Sequence, residues 1–266
     1  MAAMGSRMIV LVTGGNNGIG YETVKALLES SNAYHVLLGS RSVEKGMLAI
    51  ETLHKECPKS TNTVELVQID LTSDESIEKA FEQVQASPGH VDALVNNAGA
   101  TFDIEYISGR VSLRECFNKA YDVNVAGTQV FTHKFMPLLL KSADPRLIFV
   151  AGLSRLTEAE TNYNMPPVPA GWPKKMEFET IGYRCSKTAL NMLMFDWKHK
   201  LKADGVKVWG VGPGFLATDL GNLREKVQAM GGGHPSIGGK LLESVVAGKR
   251  DADVGKLIGK DGLVPL

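Results

Sequence analysis

Two side chains four residues apart, Tyr183 and Lys187, are placed to do chemistry together. On a helix that spacing puts both on one face, a single turn from each other. A phenol is a poor acid near neutral pH, but an ammonium group held nearby stabilises the phenolate and lowers its pKa. Proton exchange with an alcohol or carbonyl oxygen then becomes feasible. Taken alone, the pair also fits an ordinary solvated tyrosine and lysine on a helix surface.

A second stretch, Thr13-Gly14-Gly15-Asn16-Asn17-Gly18-Ile19-Gly20, joins an apolar run to the start of an amphipathic segment. The run, Met8 to Val12, has the β-branched character of a strand buried on both faces. Ile19, Thr23, Ala26 and Leu27 then recur at helical spacing, with Glu22, Lys25 and Glu29 on the other side. Such a turn aims backbone N–H groups and the positive end of a helix dipole at whatever lies in front of it, and a diphosphate fits there. Gly14 permits the tight turn, while Gly18 and Gly20 allow close approach of a ligand and of the helix to its strand. With 28 glycines in the chain, a glycine cluster by itself is also what an ordinary strand-to-helix loop would show.

About twenty residues beyond this turn come Ser40 and Arg41. In dinucleotide sites a carboxylate here reads the adenosine ribose hydroxyls, whereas an arginine accommodates a 2′-phosphate. Arg41, with no acid at this point, favours NADP over NAD, because a guanidinium grips phosphate through two charge-assisted bonds. A solvated surface arginine is the plainer alternative.

The elements that must position these groups follow in a regular rhythm. Tyr34 to Leu38 is a strand, and Ser42 to Cys57 is a helix with Val43, Met47, Ile50 and Leu53 as its apolar stripe before Pro58. Val64 to Ile69 is a third strand closed by Asp70, which stands where an adenine amino group is recognised, or where Asp70, Ser73 or Asp74 caps the next helix. Glu75 to Gln85 is that helix, and Val91 to Val95 is a strand running into Asn96-Asn97-Ala98-Gly99. Leu113 to Leu140 is a long helical segment carrying Tyr121, Asn124, Gly127 and Phe131. An Asn inside such a helix is usually a hydrogen-bonded core group.

Leu147 to Val150 is a fifth strand, and the proline-rich residues 155–182 form a long irregular loop. Tyr183 to Lys202 is helical, Val206 to Val211 is a sixth strand, and 215–246 is a substrate-side loop and helix. Lys256 to Ile258 is a short edge strand. This alternation predicts one α/β domain over 1–266, a doubly wound, mostly parallel sheet with helices on both faces and ligands at the carboxyl ends of its strands.

The 266 residues, 44% hydrophobic, suit one domain of that size. Lys plus Arg and Asp plus Glu both number 29, so no global field draws nucleic acid or an anionic membrane. Three scattered cysteines, Cys57, Cys116 and Cys185, give neither a disulfide framework nor metal-site spacing. No stretch approaches the ~20 apolar residues of a membrane span. The expectation is a soluble, cytoplasmic protein whose partner is a small molecule.

Thr13-Gly14-x-x-x-Gly18-Ile19-Gly20, Asn96-Asn97-Ala98-Gly99, Asn124, Tyr183-x-x-x-Lys187 and Pro213-Gly214 followed by Thr218 stand in the order and spacing of the short-chain dehydrogenase/reductase family. The resemblance runs from about Met8 to Val246, and the stretch before Tyr183 resembles carbonyl-reductase-like members with an insertion there. It implies that Tyr183 is the proton donor to a carbonyl, and that Lys187 lowers its pKa and binds the nicotinamide ribose. It further implies that Asn124 holds a water linking Lys187 to solvent and that Asn97 lies along the cofactor. Thr218 and the backbone near Leu216 would hold the carboxamide, with Asp70 at the adenine. Asn17 and Ile19 belong to the phosphate turn. The implied activity is NADPH-dependent reduction of a ketone or aldehyde, or oxidation of the matching alcohol.

One position departs from the family pattern. An ungapped reading puts Ala151 and Gly152 where the family carries its serine pair, with Ser154 two residues further on. Ser154 is the candidate for that role. Without a hydroxyl, a hydrogen bond to the developing oxyanion worth roughly 2.7–4 kcal/mol is missing. The alternative function is therefore a cofactor-binding relative with lost or redirected redox activity, acting as sensor, scaffold or non-redox catalyst. Insertions before the tyrosine can cover the usual assembly surface, so both a monomer and a homo-oligomer are compatible with the sequence.

Overall fold

Alternate residues of the first strand point into two different cores, and the whole architecture follows from that. In the computed structural model, which describes residues 7–151, 156–161, 168–174 and 178–265, β1 is Met8–Val12. Ile9 and Leu11 join one apolar cluster, Val10 and Val12 the other. A strand buried on both faces must have helices on both faces.

The order along the chain is β1, α1 (Gly18–Glu29), β2 (Tyr34–Ser40), α2 (Val43–Glu56), β3 (Thr63–Gln68), α3 (Asp74–Ala86), β4 (Ala93–Asn96) and α4 (Asp103–Ile107). Then come α5 (Leu113–Tyr121), a π-helical stretch (Asp122–Gly127), α6 (Thr128–Leu139), β5 (Arg146–Val150) and α7 (Leu156–Thr161). The chain continues through α8 (Ile181–Lys200), β6 (Lys207–Val211), α9 (Arg224–Ala229), α10 (Ser236–Val246), β7 (Leu257–Gly259) and β8 (Gly262–Leu263). The eight strands form one sheet in the order β3-β2-β1-β4-β5-β6-β7-β8, parallel except for β8 against β7. This is the doubly wound fold that the rhythm of the sequence predicts. Strand order reverses between β1 and β4, the place where such sheets open a crevice.

On one face, Ile77 and Val84 of α3, Phe131 and Phe135 of α6 and Leu190 and Met194 of α8 pack over Leu94, Leu147 and Phe149. On the other, Val24 and Leu27 of α1, Ile50 and Leu53 of α2 and Leu242 and Val245 of α10 cover Val36, Val95 and Trp209.

Several local expectations need correction. The buried face of α2 is Gly46, Ala49, Ile50 and Leu53, while Val43 and Met47 are exposed. Gly46 sits so close to Leu66 that a Cβ there would lie 2.4 Å from its Cδ1, so the helix turns its glycine face to the sheet. The predicted edge strand pairs with β6 on one side and β8 on the other, which leaves β8 at the margin. Within 155–182 the described residues include the helical turn α7, and 215–246 contains α9 ahead of α10. Leu113 to Leu140 is interrupted by the π stretch, which carries Asn124.

Candidate active site

The glycine turn leaves β1 and is fastened to the end of β4 by two residues. Thr13 Oγ1 donates to Val95 O at 3.3 Å and accepts from the N–H groups of Asn97 and Ala98, both at 3.0 Å. Asn97 Nδ2 donates back to Thr13 O at 2.8 Å and Gly14 O at 3.2 Å. Asn97 is thus the clasp between the two strand ends at the switch point.

Gly14 and Gly18 have φ of +65° and +54°, the left-handed region that only glycine enters without strain. At Gly20 a Cβ would lie 2.2 Å from Gly14 O, so the turn closes only around bare backbone. α1 starts with Asn17 in extended conformation, no side-chain cap, and no acid in its first turn. Its first amides therefore face the crevice with no acid of their own turn beside them, and Ile19 follows Gly18 on that first turn. A diphosphate fits this cradle. Thr218 closes its side, since a Cβ on Gly18 would lie 3.3 Å from Thr218 Cβ. The segment holding Thr218 is pinned through Leu216, which bridges Gly233, and through Ala217 N donating to Gly233 O at 2.8 Å.

At the far end of the crevice, Ile69 N donates to Ser40 O at 3.0 Å, which sets Asp70 beside Ser40 and Arg41. Ser40 is buried with its hydroxyl donating to Ser42 O at 2.9 Å, whereas Arg41 is exposed. Asp70 Oδ1 accepts from Thr72 N and Thr72 Oγ1, at 3.0 and 2.8 Å, and Ser73 caps α3 by accepting from Ser76 N. Of the three candidate caps, the role therefore falls to Ser73.

Asn124 is buried, and its amide bonds at both ends. Oδ1 accepts from Ala100 N at 2.8 Å; Nδ2 donates to Ala100 O at 2.8 Å and to Ser186 Oγ at 2.9 Å. The π stretch comes this close to the turn after β3 because Gly127 lacks a side chain, a Cβ there falling 2.1 Å from Leu71 O. π turns of this kind frequently mark functional sites.

Lys187 is buried on α8 and its Nζ donates to Val150 O, at the end of β5, at 2.9 Å. That nitrogen lies 5.7 Å from the centroid of the Tyr183 ring. Gly99 fits between Asn124 and Lys187, since a Cβ on it would meet Asn124 Oδ1 and Lys187 Nζ at 3.2 Å each. Burial pushes the Tyr183 phenol up to about 12 and the Lys187 ammonium down to about 8. The direction at Tyr183 is opposite to the expected lowering of the phenol, and its cause is desolvation.

Ala151 follows β5, buried, its N–H donating to Val211 O at 2.9 Å. Ser154 lies outside the described residues. Spacing arguments pass over Asp103, whose buried carboxylate reaches the start of α8. Its local signal is only a Thr-Phe-Asp run, and nothing in it points to a contact 79 residues away.

Residues 8–162 match the family described as short chain dehydrogenase. The chain belongs to the short-chain dehydrogenase family. It is 47% identical over 268 aligned residues, 98% of each chain, to the short-chain dehydrogenase/reductase tropE of Talaromyces stipitatus. Among solved structures it resembles the Pseudomonas aeruginosa RhlG/NADP active-site complex, with TM-score 0.72 and 21% identity over 95% of this chain and 94% of that one. It also resembles a 3-oxoacyl-[acyl-carrier protein] reductase from Brucella melitensis in complex with NAD, with TM-score 0.72 and 22% identity over 96% of both chains. As a short-chain dehydrogenase the chain is an oxidoreductase of the class acting on CH–OH groups with a nicotinamide cofactor.

Proposed function

We propose that this short-chain dehydrogenase is an NADPH-dependent enzyme that reduces a ketone or aldehyde, or oxidises the matching alcohol. The observation that carries the reading is the meeting of Lys187 and Asn124 at Gly99, on the loop that also fastens the glycine turn, with the Tyr183 ring centroid 5.7 Å from Lys187 Nζ. In this reading Gly14, Asn17, Gly18, Ile19 and Gly20 hold the diphosphate, Ser40 and Arg41 the phosphorylated ribose, and Asp70 the adenine. Asn97 borders the cofactor, Leu216 and Thr218 hold the carboxamide, and Tyr183 and Lys187 hold the nicotinamide ribose. The bound cofactor supplies the hydride.

The rest is done by the chain. Tyr183 donates a hydrogen bond to the carbonyl oxygen and gives up its proton as that oxygen takes on negative charge. Lys187 stabilises the phenolate left behind, and a water held at Asn124 returns the proton from solvent through Lys187. The raised phenol suits this direction, because it keeps Tyr183 protonated until the carbonyl oxygen becomes the stronger base. Arg41 supports NADP because it is exposed and makes no side-chain hydrogen bond or ion pair among the described residues. The similar solved structures include both NADP and NAD complexes, so the preference rests on that guanidinium.

A bulky, partly apolar substrate is favoured by the apolar surface of Trp172, Phe215 and Met230, which are all exposed. In this reading residues 155–182 are an insertion, 215–246 form the substrate side, and the enzyme works in the cytoplasm as a monomer or homo-oligomer. Ala151 at the end of β5 favours a second reading, in which the cofactor is bound without redox turnover.

One experiment separates the two. Purified protein is given NADPH and a broad panel of carbonyl compounds while the absorbance of reduced nicotinamide is followed. Substrate-dependent oxidation that disappears in Tyr183→Phe, with NADPH affinity retained, is the expected result; binding without oxidation across the panel selects the second reading.

A further inference from the structure

The helix that carries Tyr183 and Lys187 begins against carboxylates rather than against water. The first four N–H groups of any α-helix lack partners within it, and Thr180, which precedes α8, makes no side-chain cap. Glu179 Oε1 accepts from Thr180 N at 2.7 Å and from Ile181 N at 2.9 Å. The next two amides belong to Asp103, the first residue of α4: Oδ1 accepts from Gly182 N at 2.7 Å, and Oδ2 from Tyr183 N at 3.0 Å. The residue whose hydroxyl does the chemistry is itself held by its main-chain N–H.

Asp103 is 1% exposed. A carboxylate buried this fully needs compensation at every lone pair. Besides the two amides it accepts from Thr101 Oγ1 at 2.8 Å, and the buried Cys116 of α5 flanks the same approach to Gly182. The positive end of the 20-residue α8 adds a favourable field. Gly182 allows the approach, since a Cβ there would lie 3.1 Å from both Asp103 Oδ1 and Cys116 Sγ. From the other side, Asn124 grips Ala100 of the same loop through both its N–H and its carbonyl. The loop after β4 and the first turn of α8 are therefore locked together at one carboxylate, with Cys116 of α5 packed beside Gly182.

We propose that Asp103 is a positioning residue, which sets the height and rotation of the first turn of α8 and thereby the place of the Tyr183 hydroxyl over the reacting carbonyl. The proposal rests on the reductase reading above. Asp103 touches neither substrate nor cofactor in that reading, and the diphosphate, the phosphorylated ribose and Lys187 lie beyond the turn it holds, so its loss acts on proton delivery far more than on cofactor binding.

The test uses the full chain and Asp103→Asn, which keeps the shape but turns one acceptor into a donor facing an amide N–H. Three readouts are taken together: kcat per NADPH-binding site, NADPH affinity by fluorescence titration, and hydrogen–deuterium exchange of residues 180–187. We expect unchanged NADPH affinity, kcat per site lowered on the order of 10²-fold, and faster exchange confined to the first turn of α8. Loss of folded protein alone leaves kcat per binding site unmoved. Should Asp103→Asn fail to fold, Gly182→Ala crowds the same carboxylate without removing its charge and is expected to show the same pattern in smaller measure. Wild-type kcat per site in the variant, or affinity falling in parallel with kcat, overturns the proposal. A wild-type protein that binds NADPH but reduces nothing defeats the reductase reading instead; the exchange of 180–187 then still decides whether Asp103 anchors the helix, and unchanged exchange refutes that anchoring.

Discussion

At the scale of single residues, burial decides the chemistry of the site. Lys187 titrates near 8 rather than at its ordinary 10.5 because the charged form is desolvated. Between about pH 8 and 10.5 the unfolded chain then holds a proton that the folded chain does not, so this residue makes stability rise with pH through that window. Lys187→Met is expected to lack that rise, read as the difference in urea unfolding free energy between wild type and variant at pH 8 and pH 10. Taking the difference cancels the tyrosines, whose raised values act in the opposite sense. Arg41→Ala is expected to weaken NADPH far more than NADH in a binding titration; equal losses would remove Arg41 from the 2′-phosphate. Tyr183, Lys187 and Asn124 were legible in the sequence because helical spacing alone puts the first two on one face and the family pattern supplies the third. Asp103 was not, because its partners lie 79 and 80 residues away and only the folded chain brings them within reach.

At the scale of elements, the strands and longer helices were readable from period and punctuation. The short ones were not: α4, α7 and α9 are five or six residues each, too brief for an apolar stripe to repeat. The π stretch was hidden for a different reason. Its extra residue is maintained by contacts with Leu71 and Ala100, outside the segment, and its own sequence reads as plain helix. Glycine is the element-scale device that recurs here. α10 packs on α1 at Gly239, where a Cβ would lie 2.4 Å from Glu22 O, a backbone atom that cannot rotate aside. Gly239→Ala is therefore expected to part the two helices and cost about 1–3 kcal/mol, measured by chemical denaturation. Because α1 also presents the phosphate-binding amides, NADPH affinity should fall with it, whereas an unchanged midpoint would show that the helices can slide.

At the scale of the whole molecule, the end of the sheet opposite the crevice is tied by a charge cluster. Arg146, with a side chain 5% exposed, pairs with Asp144 and with Asp251, which follows α10, and its guanidinium lies 5.5 Å from the Trp209 ring centroid. Lys207 of β6 joins both carboxylates. The Arg146 hydrogen bonds hold the Asp251 carboxyl down to about 2, so its contribution is complete above its ordinary 3.8 and is lost as pH falls through 2. Asp251→Asn is expected to cost about 1–3 kcal/mol at neutral pH, below the range for fully buried pairs because Asp251 is 35% exposed. The variant should also lose part of the wild-type acid sensitivity in unfolding measured between pH 4 and 2. The doubly wound plan was visible in the sequence, but this cluster was not, since it joins a strand start to residues 105 positions later. The run from Asp122 to Gly127 has a consequence on the same scale. Adding one residue to a helix swings everything beyond it by about 100°, so these six residues act as a fixed angular offset within a single rod. The run itself aims Asn124 at Ala100, and the end of the rod beyond it, through Phe131 and Phe135, faces the core. Excising a single residue there would put the two ends out of phase, and the molecule would have to give up one alignment to keep the other.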